Sequence, residues 1–362
     1  MSKKFRFHSL GLPHTVSSPE YNACAYTQKI VKFSRMMMPR GHDIIHYGHK
    51  DSDLPCTEHV TVTDNDVLKK AYGDHDWHRK EFIHNTQDYA NITFVERTIP
   101  EIKKRIKPND FILCWWGIGH EPIANELSKY GAIAVEPGIG YSSGVFSQWR
   151  AYESHCIRAV TEGNNNPQSW YSWVIPNYFD ENEFEYSEQK ENYFLYLGRI
   201  VEHKGVSVAV DATKHAGVKL KLAGQGSLLD LGYSSIPEHC EELGYASVED
   251  RKKLMSKAKG LIIASTYLEP FGGVQVESLL SGTPVIAPHY GAFAEILENG
   301  KTGFLCHTLR EYVAGIKSSN SINPQDCRNA GMRYSLNAVG PQFESWFAAI
   351  QEVYTGEGWT AV

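Results

Sequence analysis

Residues 261–287 read LIIASTYLEPFGGVQVESLLSGTPVIA, and their order of apolar runs, glycines and helix formers decides the fold class. Leu261–Ala264 is apolar without a break. A strand with one wet face alternates, so an unbroken run of strand length marks a strand covered on both sides. The paired glycines Gly272-Gly273 then open a helical stretch, Val274–Leu280, and a second apolar run follows at Pro284–Ala287. A strand, a helix and a strand in such close succession form a crossover between parallel strands, so the sheet carries helices on both faces.

The same rhythm extends outward. Upstream lie apolar runs at Tyr193–Leu197 and Leu220–Ala223 and helical stretches at Val206–Ala216 and Val248–Lys257. The first half repeats the scheme less clearly. Its expected strands are Phe5–Leu10, Asp43–Tyr47, Phe111–Trp115, Ile133–Glu136 and Ala159–Thr161, and its expected helices Asn22–Met37, Ile99–Ile106 and Glu121–Tyr130. The polar, aromatic-studded stretch Gly73–Asn91 has no assignment. Turn-rich residues mark one break at Gly163–Ser169 and another at Gly340-Pro341. Beyond the second, Phe343–Tyr354 reads as an amphipathic helix with Phe343, Trp346, Phe347 and Ile350 on one face. The fold class is therefore α/β, two doubly wound halves with a cleft between them, where open parallel sheets bind ligands.

Length and composition agree. At 362 residues the chain exceeds what one core usually organises, which favours two domains. Its 36 Lys and Arg against 42 Asp and Glu leave a net charge of −6, so nucleic acid is not an expected partner. No apolar run approaches the ~20 residues that span a bilayer. The basic N-terminal stretch is short and interrupted by His8 and Pro13, which reads as structure rather than a signal peptide. Seven scattered Cys without a CxxC point to reduced thiols and a cytoplasmic protein. The 20 Tyr, 15 Phe, 8 Trp and 16 His suit a polar, ring-shaped ligand, or simply fill cores.

Several loops carry candidate chemistry. In Leu268-Glu269-Pro270-Phe271-Gly272-Gly273 the glycines bring backbone close to a ligand at a helix N-terminus, where free N–H groups favour phosphate. Glu277 lies one turn into that helix, placed to accept two ribose hydroxyls. Gly198-Arg199 and Lys204-Gly205 follow another strand, and a guanidinium fork plus an ammonium suit a diphosphate. The turn Gly224-Gln225-Gly226 follows a third. Taken singly, each is equally what a capped or solvated loop would show. No GxGxxG with a following acid supports a nicotinamide dehydrogenase.

Taken in order, these motifs resemble a retaining glycosyltransferase of family four, with the GT-B fold (glycosyl transferases group 1). The resemblance covers residues 174–305: Val174-Ile175-Pro176-Asn177, Phe184, Gly198-Arg199, Lys204-Gly205, Gly224–Gly226, Leu243-Gly244-Tyr245, Glu269-Pro270-Phe271-Gly272 with Glu277, Gly282–Ala287 and Gly300–Phe304. It implies an acceptor-side domain over 1–173, a nucleotide-sugar domain over 174–339 and a terminal segment, 340–362, whose helix packs back on the first. Arg199 and Lys204 would meet the donor diphosphate, with Gly198, Gly224 and Gly226 close by. Glu277 would bind the ribose, and Tyr245-Ala246 would lie against the base. Glu269 with the backbone of Phe271, Gly272 and Gly273 would hold the sugar. It further implies a hexosyltransferase needing neither metal nor cofactor, with a UDP- or GDP-linked donor (ADP stays open) and a glycan, lipid or other hydroxyl acceptor. A nucleotide-sugar epimerase or phosphorylase of the same fold, or a sugar-binding protein without turnover, are the alternatives.

The first half departs from the family in two places. The loop after the first strand has one glycine, Gly11, where paired glycines are usual, so Gly11 is the candidate for diphosphate approach. Glu136 stands at a strand end where many members carry His, and is expected to act on the acceptor or the transferred sugar, or to cap the turn after it. His120 is expected to face the cleft, as an acceptor ligand or a helix cap. His14, Trp77, His78 and Tyr141 complete the acceptor-side candidates. Trp115 and Trp116 read mainly as packing residues. Neither the His42, His46 and His49 set nor Asp74–His78 has a metal-site spacing.

Overall fold

In the computed structural model, residues 3–21, 24–75, 83, 85–164 and 169–355 are described. The chain forms two compact units. One holds the residues up to Tyr178 together with those from Leu336 onward; the other is Phe179–Ser335.

The first unit is built on strands β1 (Arg6–Leu10), β2 (Asp43–His49), β3 (Glu58–Thr63), β4 (Phe111–Leu113), β5 (Ile133–Ile139), β6 (Arg150–Tyr152) and β7 (Ser172–Val174). Their order is β3-β2-β1-β4-β5-β6-β7, and every pairing is parallel. Phe7 is paired with Ile44 on one side and Phe111 on the other, and all three are fully buried. Helices Ala25–Met37 and Leu336–Thr355 share one face of this sheet: the Phe347 ring lies 4.7 Å from Phe7 and 4.8 Å from Phe111, and Phe33 meets Phe343 edge to face at 5.5 Å. Aromatic burial on this scale secures the returning helix. Arg40 and His42 also hold it, through Glu344, at 2.5 and 2.9 Å.

The second unit carries β8 (Phe194–Leu197), β9 (Leu220–Ala223), β10 (Cys240–Gly244), β11 (Leu261–Ile262), β12 (Val285–Pro288) and β13 (Gly303–Cys306). The order is β10-β9-β8-β11-β12-β13, again all parallel. The connections run outward to either side of the β8–β11 neighbours, so the loops after those two strands lie side by side.

The chain differs from its sequence reading in several elements. Ala159–Thr161, expected as a strand, lies inside helix His155–Gly163. Ser154 caps that helix by accepting the Ile157 N–H at 3.1 Å, and Ile157 and Thr161, one turn apart, are its buried face. The helix expected at Ile99–Ile106 is instead Tyr89–Lys103, because Asp88 caps its start and Ala90, Phe94, Thr98 and Ile102 line a buried stripe. Gly340-Pro341 does not break the last helix, which starts at Leu336. Val339 and Gly340 continue the buried stripe of Phe343 and Phe347, and that packing outweighs one lost backbone bond. Strands β3, β6, β7, β10 and β13 were not expected; β6 and β7 are three residues long and β10 is a half-exposed edge with two Glu.

Candidate functional site

Four loops leave the C-terminal ends of β8, β9, β10 and β11 in the second unit and are stacked on one another. The Gly198 N–H donates to Ala223 O at 2.9 Å, and the Gly224 N–H to Gly244 O at 2.7 Å. A Cβ on Gly224 would sit 1.9 Å from the Gly198 carbonyl oxygen, so only glycine lets these turns touch. Gly205 is held as tightly: its φ is +65° and a Cβ would lie 1.8 Å from Ala264 O, which joins the β8 loop to the end of β11. Gly226 likewise lies close to Ile200, whose N–H donates to Gln225 O at 2.7 Å. The glycine turns thus set the spacing of the loops that carry the charged groups.

Those groups are Lys204, Glu269, Glu277 and Arg199. The Lys204 ammonium, at the end of a short turn before Gly205, lies 2.5 Å from Glu269 Oε1 and donates to the Tyr267 hydroxyl at 2.6 Å. Ser265 Oγ donates to the same Glu269 oxygen at 2.9 Å. Burial, and then the neighbouring Glu269 carboxylate, push the Tyr267 hydroxyl well above the usual phenol range, so it is protonated. Arg199 is half-buried, and Tyr196 donates to its carbonyl at 2.8 Å. The Phe271 ring is buried between Phe179 and Tyr334, while Gly272 starts helix Gly273–Leu280. The first amides of that helix have no carbonyl a turn behind them, so they can donate to an anion or a hydroxyl. Gln275, fully buried, donates to Phe271 O at 2.6 Å and pins the turn. Glu277 Oε2 meets the Arg251 guanidinium at 2.5 Å. Tyr245 is exposed and Ala246 buried just after β10.

The first-unit candidates lie differently. Glu136 is fully buried: Oε1 accepts from the Tyr141 hydroxyl at 2.6 Å, and Oε2 from the Phe146 and Ser147 N–H groups at 3.0 and 2.8 Å. It anchors the 141–147 segment rather than facing an acceptor, and Tyr141 is spent on the same contact. His120 is also enclosed. Its Nδ1 accepts from the Trp115 N–H and its Nε2 donates to Gly11 O, both at 3.1 Å. Burial lowers its pKa to about 3, so it is a neutral strut. The Gly11 amide, expected near a diphosphate, donates to Tyr47 O at 2.7 Å, and a Cβ there would meet that oxygen at 2.9 Å. His14 is buried with its ring 4.7 Å from Trp116. Trp77 and His78 lie outside the described residues. Among the described residues, no group of three or more His, Cys, Asp or Glu is arranged to hold a metal ion.

Residues 179–327, which carry the converging loops, match the family described as glycosyl transferases group 1. This stretch is thus similar to group 1 glycosyltransferases. An uncharacterized glycosyltransferase of Methanocaldococcus jannaschii is 31% identical over 170 residues, 46% of this chain and 47% of its own. The chain thus spans about half the length of that curated relative. AviGT4, a glycosyltransferase involved in avilamycin A biosynthesis, superposes with a TM-score of 0.68 at 18% identity, over 97% of this chain and 98% of its own. HepE of Anabaena, solved with UDP and glucose, gives 0.69 at 15% identity over 95% and 100%. At these identities the likeness shows the GT-B fold.

Within this stretch Ser265, Tyr267, Arg251 and Gln275 all escaped the sequence reading. Arg251 sits in a run of charged residues that looks like a solvated helix face. Gln275 lies between two valines, where the only signal was a polar residue flanked by apolar ones.

Proposed function

We propose that this chain transfers a hexose from a nucleoside diphosphate sugar to an acceptor hydroxyl with retention at the anomeric carbon. The observation that carries the reading is the Lys204–Glu269 ion pair, set beside the first turn of Gly273–Leu280 by loops from adjacent strands. A cation and a carboxylate in contact suit a donor whose diphosphate and sugar hydroxyls are also in contact. On binding, the phosphates take over Lys204 and the sugar hydroxyls take over Glu269, so neither charge is left without a partner.

In this reading Arg199 and Lys204 stabilise the leaving diphosphate, and the helix N-terminus adds donors. The bond from the anomeric carbon to the phosphate oxygen breaks as the bond to the acceptor oxygen forms on the same face. The acceptor proton passes to the departing phosphate oxygen. The positive field comes from side chains and backbone, without a metal ion. A UDP-linked donor is favoured because HepE was solved with UDP and glucose; a GDP-linked donor is the next to test. The acceptor is a glycan, a lipid or another hydroxyl compound.

Thermal shift with UDP-, GDP- and ADP-linked hexoses, followed by donor hydrolysis and NMR of the product anomer, tests the proposal. One nucleotide class is expected to raise the melting temperature and to be consumed with retention, and Arg199→Ala to abolish both effects. If no donor stabilises the wild type and Arg199→Ala changes nothing, the proposal fails.

A further inference from the structure

Arg251 has no role in the reading above, yet its guanidinium contacts the carboxylate expected to hold the donor ribose. The contact joins two helices that begin beside the loops of the site. Helix Val248–Lys257 follows the Tyr245-Ala246 segment, and a capping box fixes its start: Ser247 Oγ accepts the Asp250 N–H at 3.1 Å, and Asp250 Oδ2 accepts the Ser247 N–H at 3.3 Å. Arg251 is the next residue. Glu277 lies one turn into Gly273–Leu280, whose start Gln275 pins through Phe271 O. Both helix starts are therefore held, and the ion pair closes at 2.5 Å between half-buried side chains, 29% and 15% exposed.

Resting on the proposed transferase function, we infer that Arg251 is a positioning residue for the nucleotide ribose. A lone glutamate on a helix turns freely about its last bonds, and a vicinal diol is gripped well only by a carboxylate whose plane is fixed. Arg251 fixes that plane through Oε2, which leaves Oε1 outside the ion pair for a sugar hydroxyl. It also offsets the Glu277 charge, which would otherwise repel an incoming diphosphate. Through one fork the residue serves both the ribose and the approach of the phosphates.

Calorimetric titration of the full chain with UDP and with 2′-deoxy- and 3′-deoxy-UDP, and with the matching GDP and ADP sets, tests this. The preferred diphosphate should bind the wild type about tenfold or more tighter in its ribo form, since the lost bonds are to a charged acceptor. Glu277→Gln should reduce that preference, and Arg251→Met should bring it within about threefold while also weakening the deoxy form through lost charge compensation. Arg251→Gln, which keeps the stem and a hydrogen-bond donor, should fall between them and gives the same reading if the Met variant does not fold. Full ribo preference in either folded Arg251 variant overturns the inference. A wild type that binds a nucleoside diphosphate without ribo preference also overturns it and leaves the transferase reading standing. A wild type that binds none of the nucleotides overturns both.

Discussion

Lys204 and Glu269 neutralise each other at 2.5 Å with 23% and 11% of their side chains exposed. Removing either leaves the other with an uncompensated charge in a partly dry setting. Lys204→Met is therefore expected to lower stability by about 1–3 kcal/mol, read by urea unfolding, and, on the proposed function, to cut sugar transfer about a hundredfold or more, read by donor consumption. Glu136 calls for the opposite outcome. Its two oxygens accept three hydrogen bonds inside the first unit, so Glu136→Gln keeps most of them and should retain turnover per folded molecule. Glu136→Ala strands a hydroxyl and two amides and should cost about 2–4 kcal/mol in urea unfolding. Histidine burial gives a pH dependence. Burial lowers His46 and His120 to about 3, while an unfolded histidine takes its proton near 6.5. Between those values the unfolded chain binds more protons, so stability falls as pH drops from about 6.5 toward 3, by up to about 1.4 kcal/mol per pH unit for each group. His46→Leu should remove one proton's share of that slope in urea unfolding at stepped pH.

At the scale of elements, the returning helix Leu336–Thr355 belongs to the core of the first unit. Phe343, Trp346 and Phe347 are fully buried, and Phe347 touches both Phe7 and Phe111. Phe347→Ala should cost about 3–5 kcal/mol, measured by denaturant unfolding. Legibility in the sequence followed local pattern. Val206–Ala216 and Val248–Lys257 were readable to the residue because glycines, Gly205 and Gly217, bound the first and Ser247 with Asp250 boxes the start of the second. Cys240–Gly244 was not, because an edge strand with two Glu has no apolar run to announce it. Helix His155–Gly163 was misread because its short apolar run resembles a strand, and only the Ser154 cap and the Ile157–Thr161 spacing distinguish the two.

At the scale of the molecule, the first unit is discontinuous in sequence and the second is one uninterrupted stretch, Phe179–Ser335. On the proposed function, a nucleotide should slow amide exchange chiefly in residues 198–205, 224–226, 245–251 and 265–277. At a hundredfold excess over its Kd it should stabilise the protein by about 2.7 kcal/mol. The sequence by itself determined the α/β class, the loops that hold Arg199, Lys204 and Glu269 and the helix that holds Glu277, because unbroken apolar runs and glycine-led helix starts are local patterns. Only the tertiary structure decided what those side chains meet. Lys204 is 65 residues from Glu269 and Arg251 is 26 from Glu277, and neither pairing has a sequence period. Burial, likewise a property of the packed chain, sets Glu136 and His120 in hydrogen bonds that hold the first unit's loops, for Glu136 the turn-capping alternative of its sequence reading.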